Sequence, residues 1–128
     1  MRDKVTYWLE LSDYDLKTAE AMFQSERYLY VGFMAHQSIE KILKACFVHK
    51  KGETAPFSHS LSLLAKQADI YKEFSEELKD FIDLLEPMNI EARYPTHKEQ
   101  LLKSLTKKRC AEILKNAQEL QRWIMQKL

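Results

Sequence analysis

Tyr28-Leu29-Tyr30-Val31-Gly32-Phe33-Met34-Ala35-His36-Gln37-Ser38-Ile39-Glu40-Lys41-Ile42-Leu43-Lys44-Ala45-Cys46-Phe47-Val48-His49 decides the fold. Wound at 3.6 residues per turn, it places Tyr28, Val31, Met34, Ala35, Ile39, Ile42, Leu43, Ala45 and Cys46 over about half of a helix circumference. So broad an apolar face fits a helix touched by several neighbours, and the spacing predicts that residues 28 to 49 form the centre of a helical bundle. The rest of the circumference holds a compact polar stripe, His36, Gln37, Glu40, Lys41 and Lys44, within an arc of about 140°. Leu29 and Phe33 before it and Phe47 and Val48 after it occupy the same angular range. A freely solvated face is not usually framed by aromatics, so the stripe is expected to be covered in part by a partner or by the next helix. The plain alternative is an ordinary exposed face with a Glu40–Lys44 ion pair one turn apart.

Upstream, Val5, Trp8, Leu9, Ser12, Leu16, Ala19 and Phe23 fall in one narrow arc and predict a first helix over residues 3 to 25. Downstream, Lys50-Lys51-Gly52-Glu53-Thr54-Ala55-Pro56 reads as a loop, with Ser58 a candidate cap for a short third helix carrying Leu61, Leu64, Ala65 and Ala68. Phe74, Leu78, Phe81, Leu85, Met88 and Ala92 make a stripe that continues in phase through Pro87, which predicts one kinked helix. It should end at Arg93, because Pro95 drives Tyr94 out of the helical region, and a polar connection should follow to about Leu105. Thr106 is placed to cap a last helix built on Cys110, Ile113, Ala117, Leu120, Ile124 and Leu128. Four long amphipathic helices and one short one predict an all-α, up-and-down four-helix bundle with one short additional helix, a single domain over residues 1 to 128.

Composition agrees. In 128 residues there are 2 Gly and 3 Pro, too little backbone punctuation for many turns. Twenty basic and 19 acidic residues leave a net charge of +1, so no global field drives strong binding to nucleic acid or membrane, and any such site is a local patch. Cys46 and Cys110 fall on apolar faces without metal-ligand spacing and read as small core residues in a reducing compartment. No apolar run approaches the ~20 residues that span a bilayer. These features predict a cytoplasmic protein without membrane contact.

Two groups of residues could carry chemistry. The stripe is the first. His36 and Glu40 are one turn apart, as two metal ligands can be, but no third ligand accompanies them and the four histidines match no zinc pattern, so neither metal nor cofactor is expected. The second is Glu91-Ala92-Arg93-Tyr94-Pro95-Thr96-His97, where a helix breaks into a connection. Arg93 offers a fixed fork of donors to a phosphate, and His97 can transfer protons near neutral pH, a pair able to act on a phosphodiester without metal. On bare physics, Arg93 capping helix carbonyls and His97 lying free in a loop describe the same residues. His59 reads as a local packing or hydrogen-bonding residue, His49 as exposed, and Lys107-Lys108-Arg109 as a solvated run.

Trp8 with Asp15-Leu16 and Ala19, then His36-Gln37-Ser38-Ile39-Glu40-Lys41-Ile42-Leu43-Lys44-Ala45, then Ser58-His59-Ser60-Leu61 with Leu64, and Ala92-Arg93-Tyr94-Pro95, resemble the successive signatures of the HEPN domain (higher eukaryotes and prokaryotes nucleotide-binding). The resemblance spans about residues 8 to 125. It implies a helical bundle that forms homodimers, encoded beside a minimal nucleotidyltransferase as its substrate-binding partner or as the toxin of a toxin–antitoxin pair. Members that are ribonucleases use an Arg and a His separated by four to six residues at the dimer interface; Arg93 and His97 are separated by three. The expected function is therefore nucleotide or RNA binding beside a nucleotidyltransferase. His36, Gln37, Glu40, Lys41, Lys44 and Tyr94 are the expected binding residues. The alternatives are a metal-independent endoribonuclease toxin using Arg93 and His97, and a non-catalytic protein-interaction module.

Overall fold

Helix α1 (Arg2–Gln24) ends where Glu26 adopts a left-handed φ of 62°, and the Arg27 amide then donates 2.7 Å back to the Met22 carbonyl. That closure satisfies carbonyls the helix leaves open and reverses the chain within three residues. Helix α2 (Tyr28–Lys51) therefore runs back along α1. It stops at Gly52, whose left-handed φ of 66° suits a residue without Cβ and whose amide donates to Val48. The structure is a computed structural model that describes residues 2–91 and 94–128, with side chains for 3–90, 94 and 99–128.

The remaining elements are α3 (Leu61–Gln67), a 3₁₀ turn (Tyr71–Glu73), α4 (Glu76–Leu85), α5 (Met88–Glu91), α6 (Pro95–Ser104) and α7 (Lys107–Met125). Among the described residues there is no strand, and the chain is the all-α bundle its periodicity predicts. Helix α2 lies at the centre and packs against α1, α3, α4, α5, α6 and α7. Its Val31, Ala35, Ile39, Ile42, Leu43, Ala45 and Cys46 are fully buried, and Leu61, Ile82, Ile113 and Ile124 close on them. Ser12 of α1, Ser38 of α2 and Gln121 of α7 form a buried polar knot. The Ser12 hydroxyl donates 2.7 Å to the Ser38 carbonyl, the Ser38 hydroxyl donates 2.8 Å to the Ser12 carbonyl, and the Gln121 amide donates 3.1 Å to Ser12 Oγ.

Three local readings are corrected. The single kinked helix is two helices: Pro87 lacks an amide and its ring obstructs the preceding turn, so α4 ends at Leu85 and α5 starts at Met88, although Phe81, Leu85 and Met88 stay buried in phase. The polar connection is the helix α6. Tyr94 is extended (φ −114°, ψ 121°) as expected, but Pro95 sits at the first helical position, where its fixed φ favours a start and its missing amide goes unnoticed. The cap of α3 is Ser60, whose Oγ accepts from the Leu63 amide at 3.3 Å, because Ser58 Oγ is taken by the Ser60 amide at 3.0 Å. Thr106 caps α7 as its position suggests.

Gly32 marks the closest approach of the bundle: a Cβ there would lie 2.5 Å from Met88 Sδ, so the absence of a side chain lets α5 seat against α2. Cys46 and Cys110 are free and buried. Burial pushes both thiols up, Cys110 to about 11, which fits small core residues. No helix among the described residues is long and apolar enough to cross a membrane.

Candidate functional site

Residues four apart on a helix stand above one another, so His36, Glu40 and Lys44 form one line along α2 and Gln37 and Lys41 the next. The chain covers the first line itself. His36 is fully buried, Glu40 is 2% exposed and Lys44 6%. Gln37 and Lys41 are half-buried at the edge. Covering by neighbouring elements of the same chain is thus what frames the stripe with aromatics: on the α1 side the Lys44 ammonium lies 5.2 Å from the Trp8 ring centre.

Glu40 is the hub of the buried line. Its Oε2 accepts from Lys44 Nζ at 3.2 Å and its Oε1 meets His59 Nδ1 at 2.9 Å. His36 stands between two carboxylates, with Nδ1 4.0 Å from Glu40 Oε1 and Nε2 3.9 Å from Glu86 Oε1, and neither ring nitrogen has a hydrogen-bond partner among the described residues. Glu86 reaches this place because the chain breaks there before Pro87. Its carboxylate caps the start of α3, accepting from the amides of Leu61 at 2.7 Å and Ser62 at 3.3 Å. Partial burial alone would raise the Glu86 carboxyl, but the His36 imidazole and the two amides outweigh it and hold the carboxyl below the usual range.

The sign of that shift gives a first prediction. A carboxyl held low in the folded state adds stability above its unfolded value, about 4.3 for glutamate, and that stability disappears as pH falls through the folded value. Thermal melts between pH 6 and pH 3 should show the native chain losing its advantage over Glu86→Gln as the pH drops. Parallel curves would show that Glu86 is not held this way.

The second line crosses the surface. Lys41 Nζ donates 2.8 Å to Asp15 Oδ2 of α1 and 3.2 Å to Gln37 Oε1, and Gln37 Nε2 donates 2.9 Å to Asn89 Oδ1 of α5. Asp15–Lys41–Gln37–Asn89 is therefore a polar chain that ties three helices and emerges where Ile90 is 57% exposed. Tyr94, five residues after Asn89, precedes α6 and is 56% exposed. Sequence reasoning passed over Glu86 and Asn89, which have no periodic or motif signal, and read His59 only as a local hydrogen-bonding residue.

Ala92 and Arg93 lie outside the described residues. So does the side chain of His97, whose backbone belongs to the first turn of α6. Among the described residues no three His, Cys, Asp or Glu side chains come together to hold a metal ion.

The HEPN domain family model matches residues 5–128 of the chain. The crystal structure of TT1696 from Thermus thermophilus superposes with a TM-score of 0.81 over 98% of each chain at 23% sequence identity, a likeness that shows the fold. No curated protein matches the chain.

Proposed function

The chain belongs to the HEPN domain family, and from that premise we propose that it binds a nucleotide or RNA as a homodimer, together with a minimal nucleotidyltransferase in a toxin–antitoxin pair. The observation that carries the reading is the stripe at the centre of the matched region, built of ionisable and polar side chains although most of it is buried. Removing ionised groups from water costs several kcal/mol each, and a bundle of this kind packs as well with apolar residues there. Bundle stability alone therefore does not call for His36, Glu40 and Lys44. In this reading the buried line braces the surface line, and Gln37 and Lys41, with Tyr94 nearby along the chain, meet the ligand. Ile90, next in the chain to the Asn89 that holds Gln37, and Tyr94 supply exposed apolar surface, the composition expected of an interface core.

Calorimetric titration of the purified protein with ATP and with a short single-stranded RNA tests the proposal. Saturable binding that weakens tenfold or more in Lys41→Ala supports it. No saturable binding of either up to millimolar ligand overturns it and leaves a protein-interaction module as the better account. A neighbouring reading frame for a minimal nucleotidyltransferase supports the pairing, and one of another kind counts against it.

A ribonuclease reading is favoured by one observation: the backbone of His97 falls in the first turn of α6, which opens after the extended Tyr94. In that reading Arg93 would steady charge on the phosphate while His97 takes the proton of the attacking 2′-hydroxyl, and the P–O bond to the 5′-oxygen breaks, leaving a cyclic phosphate and a 5′-hydroxyl. RNA cleavage in chelator that is lost in both Arg93→Ala and His97→Ala would establish it. Absence of cleavage, or cleavage surviving both, would remove it.

A further inference from the structure

Glu40 Oε1 has two imidazoles within reach, and it bonds the one at the surface. His59 Nδ1 is 2.9 Å away, while the fully buried His36 Nδ1 is 4.0 Å away and has no hydrogen-bond partner among the described residues. A side chain placed only to fill the interior would be expected to satisfy the buried ring first. The Glu40 side chain is itself 3% exposed, and its second oxygen is fixed by Lys44, so the carboxylate is a rigid anchor. The His59 side chain, by contrast, is 56% exposed. With Nδ1 bound inward, Nε2 is the ring atom left over, and it has no partner among the described residues. Among the described residues, the charged group in contact with this ring is Glu40, which in turn meets Lys44 and His36 of α2, and His36 meets Glu86 at the end of α4. Two residues before it, Phe57 is 97% exposed in the same loop.

We infer that His59 is a phosphate-contacting residue, its ring oriented by Glu40 so that Nε2–H donates to a phosphate oxygen of a bound nucleotide while the exposed Phe57 ring stacks on the base. A ring that takes up a proton together with the phosphate donates from both nitrogens, so it can serve the carboxylate and the phosphate at once. Phe57, two residues from His59 in the chain, is an exposed aromatic ring of the kind on which bases stack without sequence preference. The inference rests on the nucleotide-binding reading above and adds to it a site on the loop before α3 that the α2 stripe alone does not contain.

Asparagine reproduces the donor at Nδ1 and glutamine the donor at Nε2, so the two substitutions separate a tether from a ligand contact. His59→Asn should melt within a few degrees of the native chain yet bind ATP at least tenfold more weakly, and His59→Gln should recover part of that loss. Long-range ¹H–¹⁵N spectra of the native chain should show the Nε2 resonance of His59 moving on addition of ATP, more than Nδ1 does. Repeating the titration with a short RNA lacking terminal phosphates separates the sources: a shift with ATP alone assigns a terminal phosphate, and a shift with both assigns the diester. A His59 resonance unmoved by saturating ATP and RNA overturns the inference, as does an Asn variant that binds as tightly as the native chain. If neither ligand binds the native chain, the inference and the nucleotide reading fall together. If binding is lost in Lys41→Ala and kept in His59→Asn, this inference falls alone.

Discussion

Glu40→Ala should destabilise the protein by about 3–5 kcal/mol, the range seen when one partner of a buried ion pair is removed. The loss comes less from the attraction that disappears than from what stays behind. Lys44, 8% exposed as a side chain, is left inside the bundle without its carboxylate partner and with the Trp8 face beside it, and His59 loses the contact that ties its loop to α2. Guanidinium unfolding of Glu40→Ala beside a double variant, Glu40→Leu with Lys44→Met, separates the two causes. The double variant should recover most of the loss, because no buried charge remains unpaired. A single variant within about 1 kcal/mol of the native chain would show that Lys44 escapes to water and that the line is not closed in solution.

Leu43→Ala should cost a similar amount, within the range of about 2–5 kcal/mol for deleting a buried aliphatic side chain, because α2 is walled on several sides and the void cannot collapse from any one of them. Leu43 has no exposed surface, and α2 is packed by elements from both ends of the chain. Leu102→Ala on α6 is the matched control: it is 44% exposed and should change stability by no more than about 0.5 kcal/mol. Equal effects from the two substitutions in chemical unfolding would contradict the central place assigned to α2.

The contrast between these helices explains what could be read in advance. Periodicity reports the angular position of a side chain on its own helix, and α1, α2 and α7 are long enough for that signal to fix them within two or three residues. It does not report what lies across from that position. The burial of His36, Glu40 and Lys44 depends on His59, 19 residues from Glu40, and on Glu86 beyond it, and the anchoring of Gln37 depends on Asn89, 52 residues away. No local pattern encodes such meetings. Proline misled in a related way, since the residue that forbids a helix before it is well suited to begin one. Pro87 therefore divided a helix that the apolar stripe suggested was whole, and Pro95 opened one where an end had been expected.

The serine and glutamine knot between α1, α2 and α7 bears on how the chain reaches this arrangement. Apolar faces of helices tolerate sliding by a turn, since one leucine replaces another at little loss. Ser12, Ser38 and Gln121 do not: with α1 one turn out of step, Ser12 would face an aliphatic wall and three buried polar groups would go without partners, at about 1–3 kcal/mol each. Ser12, Ser38 and Gln121 thus penalise bundles that have collapsed correctly in composition but in the wrong alignment.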